Sequence, residues 1–433
     1  DKYLIVTTSE YKNSKSLSEF TNYRSNDFEV TKVLNNDIGY SAESFRDYFL
    51  NSDFKYILLV GNYSDFPSKN ISYQKYVESY NYLVSDFRDT LFHYKIPIGL
   101  FFIENEQELS NIVNKTILFE QNLNNMPNKL YTHSGSIEAL PPWPIEFNDE
   151  ILNEMYNSFF KVNGYTHQHE SSLDDTPNDA LRDVEAINNG LKYFLYHGHG
   201  IIPKWSFGMG VQGIPYLQNN EYFPIIFSSS CLTGTFTGII DTAQFECFAT
   251  NMLASANGAS AFIGAFNESG RGQNPLLYGF SKAVNDENNQ RLGDALLYAF
   301  NNTELPETAK KYYPYITKEE LNRARLQFHL FGDPALLINK KTTIIDSKNK
   351  LIESKISPNP AMDYIEINID TRATLQKCGT SDIKIYNTFG ECVKTESIHP
   401  MTPSHRMNIE YLPGGIYFIQ IGKNTEKFLK LPK

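Results

Sequence analysis

The chain reads as an α/β fold built on a parallel sheet in two consecutive βα series, followed by a small all-β sandwich. Three observations point there. Short continuous apolar runs closed by Gly or Ser clusters, such as Tyr193-Phe194-Leu195-Tyr196 and Pro224-Ile225-Ile226-Phe227, have the form of strands covered on both faces. Segments with apolar residues at helical spacing alternate with these runs, which implies parallel pairing through right-handed crossovers. Past residue 340 the pattern changes to short strands that alternate apolar and polar residues between turn residues.

The first series, residues 1–127, is expected to hold strands at 3–7, 28–34 and 55–61 and helices at 16–23, 42–50 and 109–122. The last of these places Ile112, Val113, Ile117 and Leu118 at helical spacing. The second series, 128–339, starts with a strand at 130–132. Its following loop carries Gly135-Ser136-Ile137-Glu138 and Pro141-Pro142-Trp143-Pro144, and Asp149 then reads as the N-cap of a helix over 150–162. Thr176-Pro177-Asn178-Asp179 opens a helix that turns Leu181, Val184 and Ile187 toward the sheet and stops at Gly190. After the two strands quoted above come a helix over 242–256, with Cys247 in it as a core residue, and a strand over 259–266. Residues 340–351 read as a polar linker, and 352–433 as the sandwich, with strands at 364–369, 383–386, 407–409 and 415–421.

Composition bounds the function. At 433 residues and a formal net charge of −11 the chain has room for several cores and shows no basic run, which argues against nucleic acid as a partner. No apolar run approaches twenty residues, so no transmembrane segment is expected. Asp1 leads straight into a strand without a signal peptide, which reads as a processed or trimmed form. Four cysteines, Cys231, Cys247, Cys378 and Cys392, are too few for a disulfide scaffold, although Cys378 and Cys392 flank one strand and form a candidate pair.

The chemistry gathers at the ends of two strands. One apolar run ends in His197-Gly198-His199-Gly200 and the other in Ser228-Ser229-Ser230-Cys231-Leu232-Thr233-Gly234. In an open α/β sheet the carboxyl ends of the strands form the ligand crevice, so a His and a Cys delivered there can share one site. A thiolate is a nucleophile, and an imidazole can take its proton and return it to a leaving amine. The amides of Gly200 and Cys231 stand where an oxyanion could be held. The plainer alternative is a packed core Cys and two His that merely end a strand. A further alternative is zinc, because His167-Gln168-His169 and His197-Gly198-His199 each put two imidazoles on one face of a strand.

The run Tyr196-His197-Gly198-His199-Gly200 and the run Ser229-Ser230-Cys231-Leu232-Thr233-Gly234 are followed in order by Gly258-Ala259-Ser260-Ala261-Phe262-Ile263-Gly264 and Leu330-Phe331-Gly332-Asp333-Pro334-Ala335-Leu336. In order and spacing this set resembles the gingipain family of cysteine peptidases, which has a caspase-like catalytic domain. The resemblance extends upstream through Tyr56-Ile57-Leu58-Leu59-Val60-Gly61 and Ile96-Pro97-Ile98-Gly99, covering about residues 1–340. It implies Cys231 as nucleophile, His199 rather than His197 as general acid/base, Glu138 as the acid beside that His, and Asp149 at the base of a pocket for basic side chains. Trp205 is implied close to the site, and the first series becomes a supporting subdomain. No cofactor is required. The turn Val84-Ser85-Asp86-Phe87-Arg88-Asp89 matches one near which some relatives bind calcium, but 88–95 is poor in acids; a solvated turn is the plainer reading and a structural calcium ion the alternative. The loop Asn267–Gln273 departs from the family: it is shorter, lacks the pocket tryptophan, and brings Arg271 near the cleft, which works against basic side chains.

Ser357-Pro358-Asn359-Pro360-Ala361, Tyr386-Asn387-Thr388-Phe389-Gly390 and Leu412-Pro413-Gly414-Gly415-Ile416-Tyr417 resemble the C-terminal sorting domain that Bacteroidetes use for type IX secretion. That implies a secreted or outer-membrane-attached enzyme whose partners are the secretion machinery and protein or peptide substrates. An inactive peptidase-fold binding module and a zinc-dependent hydrolase stand as the alternatives from other classes.

Overall fold

The continuous apolar runs become the inner strands of one ten-stranded sheet. The computed structural model describes residues 1–339 except 74, 89, 136–144, 174–176, 237, 241–242 and 287, and beyond them 355–368, 381–388, 390–398, 404–421 and 424–432. They fall into two units, Asp1–Lys340 and Lys341–Lys433. The sheet of the first unit consists of β1 (Lys2–Thr7), β2 (Glu29–Leu34), β3 (Phe54–Gly61), β4 (Ile98–Phe102), β5 (Lys129–Gly135), β6 (Thr166–Ser172), β7 (Tyr193–Gly198), β8 (Ile225–Ser229), β9 (Ala261–Ala265) and β10 (Phe328–Gly332). They lie in the order β6-β5-β7-β8-β9-β10-β4-β3-β1-β2.

Tyr56-Ile57-Leu58-Leu59-Val60 of β3 and Ile225-Ile226-Phe227 of β8 have no exposed surface, because helices cover both faces. Each such side chain stabilises the fold by about 1.5–3 kcal/mol relative to exposure. All neighbours pair in parallel except β9 and β10, which run antiparallel from Ala261↔Gly332 to Ala265↔Phe328. The sheet is therefore two parallel halves of opposite direction joined at one seam. Their carboxyl ends lie at opposite edges, so the edge carrying His199 and Cys231 belongs to the β6-β5-β7-β8-β9 half.

Helices Lys15–Arg24 and Ala42–Leu50 form close to their expected bounds, each started by a serine, Ser14 or Ser41, whose side chain accepts a first-turn amide. Three expectations need correction. The helix expected over 150–162 runs Ile145–Met155 and passes into a π turn at Tyr156–Phe160, so Asp149 sits inside it and is not its N-cap. The helix expected over 242–256 is only Phe248–Ala254, because Ala243–Phe245 finds a partner in Gly238–Ile240 and pairs across the hairpin; Cys247 precedes the helix. In helix Pro177–Asn188, Val184 and Ile187 are buried, but Leu181 is 58% exposed because the buried arc is centred on Asp183.

The second unit holds two antiparallel sheets, one of Lys355–Ser357, Tyr364–Asn368 and Ser404–Asn408, the other of Ser381–Tyr386, Cys392–Ile398, Gly415–Ile421 and Asn424–Lys430. Ile365, Ile367, Ile383, Ile385, Met407 and Phe428 share one core, as in the expected sandwich. Cys392 is exposed, and among the described residues no cysteine is bonded to it. Cys378 lies outside the described residues, and its pairing with it. No described helix is long and apolar enough to cross a membrane.

Candidate active site

Strands β7 and β8 pair in register from Tyr193↔Ile225 to His197↔Ser229. His199 and Cys231 each follow two residues beyond that last pair, so the sheet itself delivers them side by side. Both line one cleft of about 140 Å³, together with Asn148, His197, Ser269 and Arg271.

The turn that presents Cys231 is held from below. Ser228 Oγ accepts the Trp205 Nε1–H at 2.8 Å and exchanges hydrogen bonds with Ser230 Oγ (2.8 Å) and Thr233 Oγ1 (2.9 Å), all buried. Leu232, directly after the cysteine, has φ of +60°, a left-handed conformation that a branched side chain rarely adopts and that persists because the surroundings fix it. Its N–H donates to Asn267 at 3.2 Å. Cys231 Sγ is half-buried and accepts the Ser269 N–H at 3.2 Å. Cys247 contrasts with it: it is buried, and burial pushes its thiol up to about 11.

His199 is exposed at the rim. Withdrawal of part of its ring from water lowers its pKa, which favours the neutral imidazole that can accept a thiol proton. Among the described residues no carboxylate is hydrogen-bonded to its ring. His197 is buried against Ser229 Oγ at 2.9 Å, and burial first, with His199 second, pushes it down to about 3. It is a neutral wall of the cleft. The Ser206 N–H donates to the His199 carbonyl at 3.0 Å, which makes Gly200–Trp205 a non-hydrogen-bonded pair of the small hairpin and leaves the Gly200 amide outside that ladder. A Cβ on Gly200 would lie 2.7 Å from the Cys231 carbonyl oxygen, so only glycine permits this approach.

The remaining expected residues are distributed differently. Glu138 lies outside the described residues. Asp149 does not line the cleft, although its neighbour Asn148 does. Its carboxylate accepts from Ser134, from His169 Nε2 at 3.0 Å and from Ser171 at 3.1 Å; burial opposes its charge, but these hydrogen bonds outweigh burial and hold the pKa below the usual range. Trp205, fully buried, stacks on Tyr196 at 4.6 Å and reaches the site through Ser228 and through its strand pairing with Gly200. Arg271 does line the cleft, its guanidinium 5.3 Å above the Tyr313 ring and 3.9 Å from Glu320.

His167 and His169 share Thr132 Oγ1. Among the described residues no three His, Cys, Asp or Glu converge on a position for a metal ion. Ser269 and Asn148 were not anticipated from sequence. The only local sign of Ser269 is its place in the loop 267–273, and nothing in the run around Asn148 marks it.

Residues 1–339 match the profile of peptidase family C25, and residues 355–431 match a secretion-system C-terminal sorting domain. Gingipain R2 of Porphyromonas gingivalis is 25% identical over 205 residues, 47% of this chain and 26% of that protein; gingipain R1 of the same species is 25% identical over the same length, 20% of its own. The matched stretch thus spans about a quarter or less of these relatives. Among solved structures, the Arg-specific cysteine proteinase gingipain R has a TM-score of 0.62 at 17% identity, covering 100% of this chain and 98% of that one. A structure described only as a protease has a TM-score of 0.63 at 14% identity, covering 99% and 97%. At such identities the likeness is one of fold. The sorting domain marks the chain as secreted or cell-surface.

Proposed function

The chain belongs to peptidase family C25, and from that membership we propose that it is a secreted or cell-surface cysteine endopeptidase working through Cys231 and His199. The observation that carries the assignment is their delivery, two residues past one register pair, into a single cleft. Sγ of Cys231 attacks the substrate carbonyl as its proton passes to His199. The amides of Gly200 and Cys231 take up the oxyanion. Collapse of the tetrahedral species breaks the C–N bond, with the proton on His199 leaving on the amine. Water, deprotonated by His199, then hydrolyses the thioester and restores the thiol. Glu138 is assigned to orient His199 on the strength of the family resemblance alone.

An irreversible peptidyl electrophile tests the thiol assignment. It is expected to modify Cys231 stoichiometrically, to stop hydrolysis, and to leave Cys247 untouched. Modification of Cys247 in step with inactivation, or activity that chelators abolish, contradicts the assignment.

For specificity we retain a preference for Arg or Lys before the scissile bond, supported by a charged, half-buried Asp149 one residue from cleft-lining Asn148. Losing a charge-assisted hydrogen bond costs about 1.5–3 kcal/mol, or about 10- to 150-fold in selectivity. A peptide library cleaved by the wild type and by Asp149→Asn should show a basic preference that falls by that factor. A wild type that favours acidic residues, as Arg271 would select, or a variant with an unchanged preference, leaves Asp149 as a tether between its helix and strands β5 and β6.

A further inference from the structure

His199 is held by two supports. Its carbonyl accepts the Tyr196 hydroxyl at 2.8 Å and the Ser206 N–H at 3.0 Å, and its ring lies 6.5 Å from that of Phe207. Tyr196 belongs to β7, and Ser206 and Phe207 to the loop that runs on to Met209.

Both supports rest on one buried ion pair. Asp183, from helix Pro177–Asn188, accepts the Nδ1–H of His133 at 2.8 Å, the Tyr131 hydroxyl at 3.0 Å and the Met209 N–H at 2.8 Å. His133 stands edge-on to Tyr196, ring centroids 5.5 Å apart, and its Nε2 is 2.9 Å from Ser172 Oγ. A Cβ on Gly208 would meet Asp183 Oδ2 at 2.6 Å and His133 Cε1 at 3.2 Å, so the loop backbone lies directly on the pair. Neither His133 nor Asp183 has exposed surface. Burial pushes the His133 pKa down, and the Asp183 carboxylate more than reverses this, which favours an imidazolium donating to both Asp183 and Ser172.

A buried ion pair seldom improves stability over well-packed apolar residues of the same volume, so its worth here lies in fixing geometry. One face of the pair sets Tyr196, and the other sets the loop 206–209. We propose that His133 and Asp183 are positioning residues that hold His199 at the angle its proton transfers need. The proposal rests on His199 as the general acid/base. Misplacement of a catalytic group by about an ångström costs on the order of 100-fold in rate, whereas substrate binding made elsewhere in the cleft is untouched.

The test uses the full chain and Asp183→Asn, with thermal melting to establish folding and a peptide substrate for kinetics. The expected result is a kcat lower by about 10- to 100-fold with KM within about two-fold. In a His199→Ala background, followed with an activated ester that keeps residual turnover measurable, Asp183→Asn is expected to cost nothing further. An unchanged kcat in the folded variant, a loss confined to KM, or an equal further loss without His199 overturns the proposal. Full activity of His199→Ala refutes the acid/base assignment itself and the positioning role with it. Should Asp183→Asn fail to fold, Gly208→Ala displaces the loop while both charges remain. The same kcat loss in that variant supports the proposal, and an unaltered kcat refutes it.

Discussion

Cys231→Ala is expected to lower peptide hydrolysis by about a million-fold, as loss of a covalent nucleophile does elsewhere, while the melting temperature stays within a few degrees of wild type. About 8 kcal/mol of barrier lowering is at stake. The side chain is half-buried, and its one amide partner, Ser269 N–H, faces the solvent-open cleft, so its removal leaves little packing undone. The turn around it is held by Ser228, Ser230 and Thr233, none of which the substitution touches. Cys247→Ala is expected to do the reverse. Cys247 is buried against Thr233 and the helix that follows, so losing the sulfur costs stability and leaves turnover of the folded enzyme near wild type. Comparable activity loss in folded Cys247→Ala, or residual turnover within about 100-fold of wild type in Cys231→Ala, shows that the nucleophile is misassigned.

What was legible in the sequence follows from what each pattern encodes. A strand covered on both faces must be apolar throughout, so Tyr193–Tyr196 and Pro224–Phe227 announced themselves, and the polar residues that end them were legible as a site. The same apolar signature carries no direction. The antiparallel pairing of β10 with β9 is set by the four helices between them and not by the residues of either strand. Asp149 reads as a helix cap for a related reason: its hydrogen-bond partners Ser134, His169 and Ser171 come from two strands, and only the tertiary fold places a capping residue type in mid-helix against them. Trp205, implied close to the site by the resemblance, is fully buried, and Ser228 satisfies its indole N–H at 2.8 Å. The His133–Asp183 pair left no local mark, since a lone His in a strand and an Asp in a helix have no spacing to betray them.

Arg24→Met is expected to destabilise the first unit by about 3–5 kcal/mol, the cost of leaving buried carboxylates without their cation. The guanidinium has no exposed surface, and it donates to Asp333 from Nε at 2.6 Å and to Glu120 from Nη1 and Nη2 at 3.1 and 2.8 Å. Burial opposes its charge, and the two carboxylates outweigh burial, raising its pKa further. The acids are also held by others: Tyr3 and the Ala335 amide donate to Asp333, and Tyr23 and the Leu337 amide donate to Glu120. The network thus joins β1, helices Lys15–Arg24 and Glu106–Asn122, and the segment after β10. Methionine keeps most of the volume, so the loss reads charge and not cavity. Neutralising the acids as well, with Asp333→Asn and Glu120→Gln, should recover part of the deficit, because the uncompensated charge and not the missing contact is the larger cost. Urea unfolding of the three proteins measures it. A loss below about 1 kcal/mol for Arg24→Met, or no recovery in the triple variant, means that water or a rearranged partner compensates the acids and that the network does not anchor β10. If the anchoring holds, thermal inactivation of the peptidase should shift with unfolding. β10 pairs with β9, and β9 runs directly into the loop 267–273 that lines the cleft beside Cys231.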